Sequence, residues 1–443
     1  MPTTKVERSA KFVKTGFQIG GNYIKHYSKK LFNPALSRDE LNEDNASDIY
    51  NSLSELKGSA LKIAQMLSMD KNVLPKAYVN KFTQSQYNAP PLSGPLIIRT
   101  FTRSFGKSPE KLYDTFKLSS TNAASIGQVH EATLNGKKLA VKIQYPGVAD
   151  SISSDLKLVK PFAFRLLRMS EKELNIYIKE VEERLLEETD YRLEVRRSIE
   201  FSKACKSLKN VVFPNYYTEL SSDKIITMDW MEGMHLKEFL ETNPSQALRN
   251  KIGQALWDFY NFQQHELRGV HADPHPGNFL ITPDEKLAVI DFGCIKLLPQ
   301  DFYDPFFALI EPGLMNNKPA TIEAFRQLGM IQANDNAKQI EFYHKAYKQM
   351  ITLFALPYTS KVFDFSKPQF FEDLYAWGEK IARMPEFKQP RGVKHFIYIN
   401  RTNFGLYTIL NELGATVNTQ TYKPHVGKYS GIKTKPKQNQ VTV

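Results

Sequence analysis

The stretch His271-Ala272-Asp273-Pro274-His275-Pro276-Gly277-Asn278, followed by Ile290-Asp291-Phe292-Gly293, constrains this chain more than any other feature. Asn278 follows Asp273 by five residues, and Asp291 lies thirteen beyond Asn278. Phe279-Leu280-Ile281 and Leu287-Ala288-Val289-Ile290 read as two short apolar strands. Thr282-Pro283-Asp284-Glu285-Lys286 forms the turn between them. Such a hairpin carries Asn278 and Asp291 to the same end of a sheet. Chance supplies one such piece; both at this spacing are a signal.

Two carboxylates and an amide so spaced form a phosphoryl-transfer constellation. In protein kinases the first Asp takes the substrate hydroxyl proton, and the Asn and the D-F-G Asp hold magnesium on the nucleotide phosphates. Lys142 ends Leu139-Ala140-Val141-Lys142, close to the Val-Ala-Ile-Lys pattern of a kinase strand whose lysine reaches the phosphates. Its glutamate partner is sought on the next helix, among Glu180, Glu182, Glu183, Glu187 and Glu188. Where a kinase has a Gly-rich loop, this chain has Asn122-Ala123-Ala124-Ser125-Ile126-Gly127-Gln128. Alanine still offers its backbone N–H, but it narrows the backbone choice and keeps phosphate further off. His271 and His275 read as struts, with a place beside the magnesium the alternative for His275.

At 443 residues the chain is long enough for two or three domains. Its two cysteines, Cys205 and Cys294, exclude a disulfide framework and fit a reducing compartment; Cys294 reads as a buried filler. A net charge of +12 suits an anionic partner such as nucleotide or an acidic membrane surface. No recognition motif supports nucleic acid. No apolar run is long enough for a membrane span, and no secretory signal is visible. The expected location is therefore cytoplasmic, with peripheral membrane association through the basic N-terminal stretch the alternative.

Residues 1–45 read as a basic segment and linker, and 46–105 as a helical extension interrupted by the Pro-rich break from Asn88 to Pro95, with helical pattern resuming from Leu96 to about Phe105. Residues 127–134 and 138–144 are strand-like and joined by Asn135-Gly136, a strong hairpin signal. Residues 171–203 and 236–268 read as helical, 211–214 and 224–230 as strands, and the chain beyond Leu298 as mostly helical. Residues 419–443, basic and poor in apolar side chains, are expected to be disordered.

The Ala-rich loop with Ser125-Ile126-Gly127-Gln128-Val129-His130, the Ala140-Val141-Lys142-Ile143-Gln144 strand and Asp273-Pro274 resemble the UbiB/AarF family of atypical kinases. Lys57 to Ser68 is similar to that family's N-terminal extension, Glu188-Thr189-Asp190 to its E-x-D motif, and Arg401 with Gly405-Leu406-Tyr407 to its C-terminal segment. Two positions depart from the pattern: Ala64 stands where the family has glycine, and Asn122 where its loop often begins with alanine. The resemblance implies ATP and Mg2+ as cofactors. It makes Ala123, Ala124, Ser125, Ile126, Gly127, Val129 and Lys142 nucleotide-binding residues, with Lys142 paired to Glu182. It makes Asp273 the catalytic-loop acid and Asn278 and Asp291 the magnesium ligands. Lys62 and Gln65 share one helix face in a regulatory cover, and Lys62 meets Glu188 and Asp190.

The expected fold is α+β and bilobal, protein-kinase-like, with a mostly β N-lobe over 106–232 and a helical C-lobe over 233–418. The helical extension packs across the cleft. The expected activity is Mg-dependent ATP hydrolysis or phosphoryl transfer to a small or lipid-like acceptor, such as a quinone precursor. This would support isoprenoid-quinone biosynthesis or lipid homeostasis. The alternatives are a nucleotide-gated regulatory or lipid-escort protein and a small-molecule phosphotransferase.

Overall fold

The computed structural model describes residues 14–15, 18, 21–22, 25–26, 28–29, 39–56, 91–123, 126–167, 171–387, 391–393, 395–422 and 424. It divides into two compact units. The first comprises 1–195 and 216–230, the second 196–215 and 231–443.

The first unit contains helices α1 (Asp39–Leu56) and α2 (Gly94–Phe105). A sheet follows, built from β1 (Thr115–Phe116), β2 (Asn122–Ala123), β3 (Gly127–Leu134) and β4 (Lys137–Gln144). After helices α3 (Val148–Leu167) and α4 (Glu171–Glu188), the chain passes into the second unit within α5 (Tyr191–Ala204). There it lays down β5 (Val211–Val212), then returns with β6 (Ile225–Asp229). The sheet runs β1-β3-β4-β6, with β2 also on β3, and every pairing is antiparallel. The β3–β4 turn falls at Asn135-Gly136 as the sequence indicates. Both residues have positive φ, +51° and +74°, the backbone a twisted two-residue hairpin demands.

Alternation along β4 splits its two faces. Leu139, Val141 and Ile143 enter an apolar core with Ile97, Phe101, Ile126 and Ile225. Ala140, Lys142 and Gln144 occupy the other face. The register places Val129 opposite Lys142 and Gly127 opposite Gln144, so these four share a face. The expectation of a mostly β lobe is corrected. Three helices fill the interval between β4 and β6, because its acidic and basic residues interleave with apolar ones at helical rather than alternating spacing.

The second unit is built on α7 (Gln246–His265), preceded by the short α6 (Leu236–Glu241). The sequence reads these as one helix, but Asn243-Pro244 breaks it and Ser245 caps α7 by accepting from Leu248 N. Strands β7 (Gly269–His271), β8 (Phe279–Ile281), β9 (Leu287–Val289) and β10 (Ile295–Leu297) follow. β8 and β9 form the expected hairpin, β5 joins β9 in parallel, and β7 pairs with β10. Helices α8 (Gln300–Ala308), α9 (Lys318–Gln327) and α10 (Ala337–Ala355) lead to β11 (Val362–Asp364) and α11 (Pro368–Arg383). Last come α12 (His395–Glu412) and β12 (Thr416–Asn418), which pairs back onto β11. Phe259, Phe279 and Phe292 anchor an aromatic core beneath the β7–β10 strands.

Asn135→Ala should cost about 1 kcal/mol, because a left-handed backbone is forced on a residue with a Cβ that dislikes it. Chemical denaturation reads this as a lower midpoint, and an unchanged midpoint would contradict the turn.

Candidate active site

In the first unit, Lys142 and Glu194 meet on buried ground. Lys142 Nζ donates to Glu194 Oε1 at 2.8 Å, and the side chains are 9% and 6% exposed. Removing either partner would strand a buried charge, a far larger loss than the pair's net contribution. The Lys142 ammonium also lies 5.2 Å from the centroid of the Tyr191 ring. Tyr191 and Glu194 stand three residues apart on α5, so one helical face presents both.

The expected partner, Glu182, is therefore corrected. It sits on α4 and accepts a hydrogen bond from the Ser153 hydroxyl of α3. The acidic stretch that reads as one helix is two. α4 ends at Glu188, and Asp190 begins α5 by accepting from Leu193 N at 3.0 Å. Glu194 lies in the first turn of this new helix. The N-cap aspartate four residues before it is the signal that would have found it.

Asp190 is thus a helix cap, and Glu188 closes α4. Lys62, Gln65, Ala124 and Ser125 lie outside the described residues. Ala123 pairs with Gln128 across β2 and β3. Ile126 turns its side chain into the core and accepts from Tyr145 N through its carbonyl. Gly127 is required by packing: a Cβ there would lie 2.4 Å from the Ile143 carbonyl oxygen and 2.9 Å from Tyr191 Oη. Val129 is half-buried on the Lys142 face.

In the second unit, Asp273, Asn278 and Asp291 share one end of the β8–β9 hairpin. Asn278 Nδ2 donates to the Asp273 carbonyl at 2.9 Å and to Asp273 Oδ2 at 3.2 Å. The amide nitrogen is thereby committed to the loop, and Asn278 Oδ1 is the end that remains suited to a cation. Asp291 Oδ1 accepts from Gly293 N at 2.7 Å, which fixes the carboxylate in the turn. A magnesium ion favours one or two such oxygens together with phosphates and water. The donor set fits that ion. Among the described residues no group of three or more His, Cys, Asp or Glu offers an all-protein cage.

His271 serves as a strut, as expected, and His275 shows the strut role, one of the two readings open for it. His271 is fully buried among Phe259, Phe279 and Phe292. Burial holds its pKa below 6.5, opposed by the charges of Asp273 and Asp291. His275 Nδ1 accepts from Gly277 N at 3.0 Å and shapes the turn before Asn278. Cys294 is buried beside Ala272 and Tyr398.

Arg401 belongs to the C-terminal segment that carries the family resemblance, where the sequence assigns it no role. Its Nη2 donates to Asp273 Oδ1 at 2.9 Å. One turn further along α12, Gly405 packs on the His271–Asn278 loop so closely that a Cβ would fall 2.2 Å from Pro274 Cγ. Tyr398, Arg401 and Gly405 form one stripe of α12 against this loop. The approach to α12 is held by a bidentate pair, Arg391 to Asp335 at 2.6 and 2.9 Å, with the guanidinium 3.7 Å over the Tyr343 ring.

Gly405→Ala should push α12 off Pro274 and cost at least about 1 kcal/mol of stability, read by thermal unfolding. Glu194→Gln should cost about 3 kcal/mol, and Glu182→Gln less than about 1. Equal losses would refute the pairing. Protonating His271 inside the folded protein is unfavourable, and the unfolded chain binds that proton near pH 6.5. Stability at His271 is therefore fully present above that pH and falls as pH drops below it. His271→Asn should flatten that part of the pH–stability curve.

Comparison with known proteins bears out the family reading. A family model described as the ABC1 atypical kinase-like domain matches residues 84–324, more than half of the chain. A Dictyostelium discoideum protein named "Probable serine/threonine-protein kinase abkA" is 26% identical over 95% of this chain and 78% of its own length. The Saccharomyces cerevisiae atypical kinase COQ8, mitochondrial, is 29% identical over 75% of this chain and 67% of its own. The Caenorhabditis elegans atypical kinase coq-8, mitochondrial, is 27% identical over 75% of this chain, which spans 46% of that relative's length. A solved complex of Rv3197 with erythromycin from Mycobacterium tuberculosis aligns with a TM-score of 0.59 at 26% identity, over 86% of this chain and 95% of the other. No described helix is long and apolar enough to cross a membrane. With its mixed helix-and-sheet, kinase-like fold, the chain belongs to the ABC1 atypical kinase-like family, the UbiB/AarF group of atypical kinases.

Proposed function

We propose that this protein is a magnesium-dependent ATPase or phosphotransferase that acts on a small or lipid-like acceptor in isoprenoid-quinone or lipid metabolism. The observation that carries the reading is the Asn278 amide. Its nitrogen is tied to Asp273, so its oxygen is left to stand with the Asp291 carboxylate as a hard-cation ligand. Magnesium with ATP, when bound, supplies charge neutralisation at the phosphates and a transferable phosphoryl group. Lys142, steadied by Glu194, offers a fixed ammonium of the kind that reaches nucleotide phosphates in kinases. Asp273, aimed by Arg401 and Asn278, orients the attacking hydroxyl or water and receives its proton. Positioning and fixed charge supply most of the acceleration. The quinone connection rests on the resemblance to the UbiB/AarF family.

A slow enzyme that serves mainly as a nucleotide-gated regulator is the second reading. It is favoured by one observation: both Asp273 carboxylate oxygens are already engaged, one by Arg401 and one by Asn278. A substrate hydroxyl must share or displace one of these bonds.

Asp291→Asn should lower magnesium-dependent ATP turnover by at least about a hundredfold. Full turnover by that variant would remove Asp291 from the metal site. Turnover by the wild-type chain, measured with and without anionic vesicles, separates the two readings. Strong stimulation supports the enzyme, and nucleotide binding without turnover supports the regulator.

A further inference from the structure

Gln144 ends β4 two residues after Lys142, on the same face of the strand. It is 2% exposed, and both ends of its amide are used. Lys224 Nζ donates to Oε1 at 2.7 Å. Nε2 donates to the Thr189 carbonyl at 2.9 Å. An ammonium can only donate and a carbonyl can only accept, so chemistry fixes this orientation of the amide.

Thr189 is the corner between α4 and α5. Its N–H donates to the Leu185 and Leu186 carbonyls at the end of α4, and its hydroxyl donates to the Leu186 carbonyl. The next residue, Asp190, caps α5, and Glu194 N makes a first helical bond to the Asp190 carbonyl. A single side chain from the lysine-bearing strand therefore grips the corner from which the glutamate-bearing helix starts. In protein kinases the position of that helix is a control point, because it makes or breaks the Lys–Glu pair.

We propose that Gln144 is a positioning residue that locks α5 so that Glu194 is held against Lys142. The inference rests on the nucleotide-handling role given above to Lys142. Lys224 acts one step further out, by preventing the Gln144 amide from turning over. The Gly127 backbone, opposite Gln144 on β3 and within a Cβ's reach of Tyr191 Oη, closes the same corner from the other strand.

The test is a double-mutant cycle on the full chain, read as the Kd of a magnesium–ATP analogue by calorimetry well below the melting temperature. Gln144→Met keeps the volume and removes both hydrogen bonds. It should weaken binding about tenfold, the scale of one buried hydrogen-bonding partner. In a Glu194→Gln background the same change should add almost nothing, because its effect passes through the pair already lost. A merely structural role predicts that the two losses multiply. Such multiplication, or wild-type affinity in Gln144→Met, overturns the inference. Should Gln144→Met fail to fold, Lys224→Met serves in its place: a loss of about threefold that vanishes in the Glu194→Gln background is expected, and an unchanged or multiplying effect is contrary. A wild-type chain that binds no magnesium–nucleotide would instead sink the proposed function, and this inference with it.

Discussion

A charge withdrawn from water must be met by an opposite charge, and the candidate site residues in each unit are organised around such a meeting. In the first it is Lys142 with Glu194, in the second Arg401 with Asp273. Neither ion pair is a strong source of stability by itself. Each dictates where a helix must lie. α5 has to start where its first turn reaches β4, and α12 has to pass close enough to the Asp273 loop for a guanidinium to reach a carboxylate. The break at Thr189-Asp190 and the glycine at 405 are the local concessions that let the backbone comply.

What could be read from the sequence was what local chemistry encodes. The β8–β9 hairpin was legible because two apolar runs flank a proline-containing turn. The β3–β4 hairpin was legible because Asn-Gly tolerates positive φ. The co-location of Asn278 and Asp291 followed from the first of these. The family and its kinase-like fold followed from motifs that cover most of the chain.

What stayed hidden was long-range choice among equivalent residues. The segment around Glu182 offered several acids at helical spacing, and periodicity cannot say which one meets a strand so far back in the chain. Glu194 was selected by a helix restart that a continuous polar pattern concealed. The task of Arg401 was likewise invisible, since its partner lies 128 residues earlier. Strands β7, β10, β11 and β12 have three residues each, too few to show an alternation.

The dependence of Asp273 on Arg401 has a consequence for synthesis. Ribosomes deliver the chain from its N-terminus at about 5–20 residues per second, so the loop from His271 to Asn278 emerges several seconds before the helix that aims its carboxylate. Until that helix arrives, a nascent or prematurely terminated polypeptide carries the acid without its guide. The Arg401–Asp273 pair can therefore form only after α12 has been made.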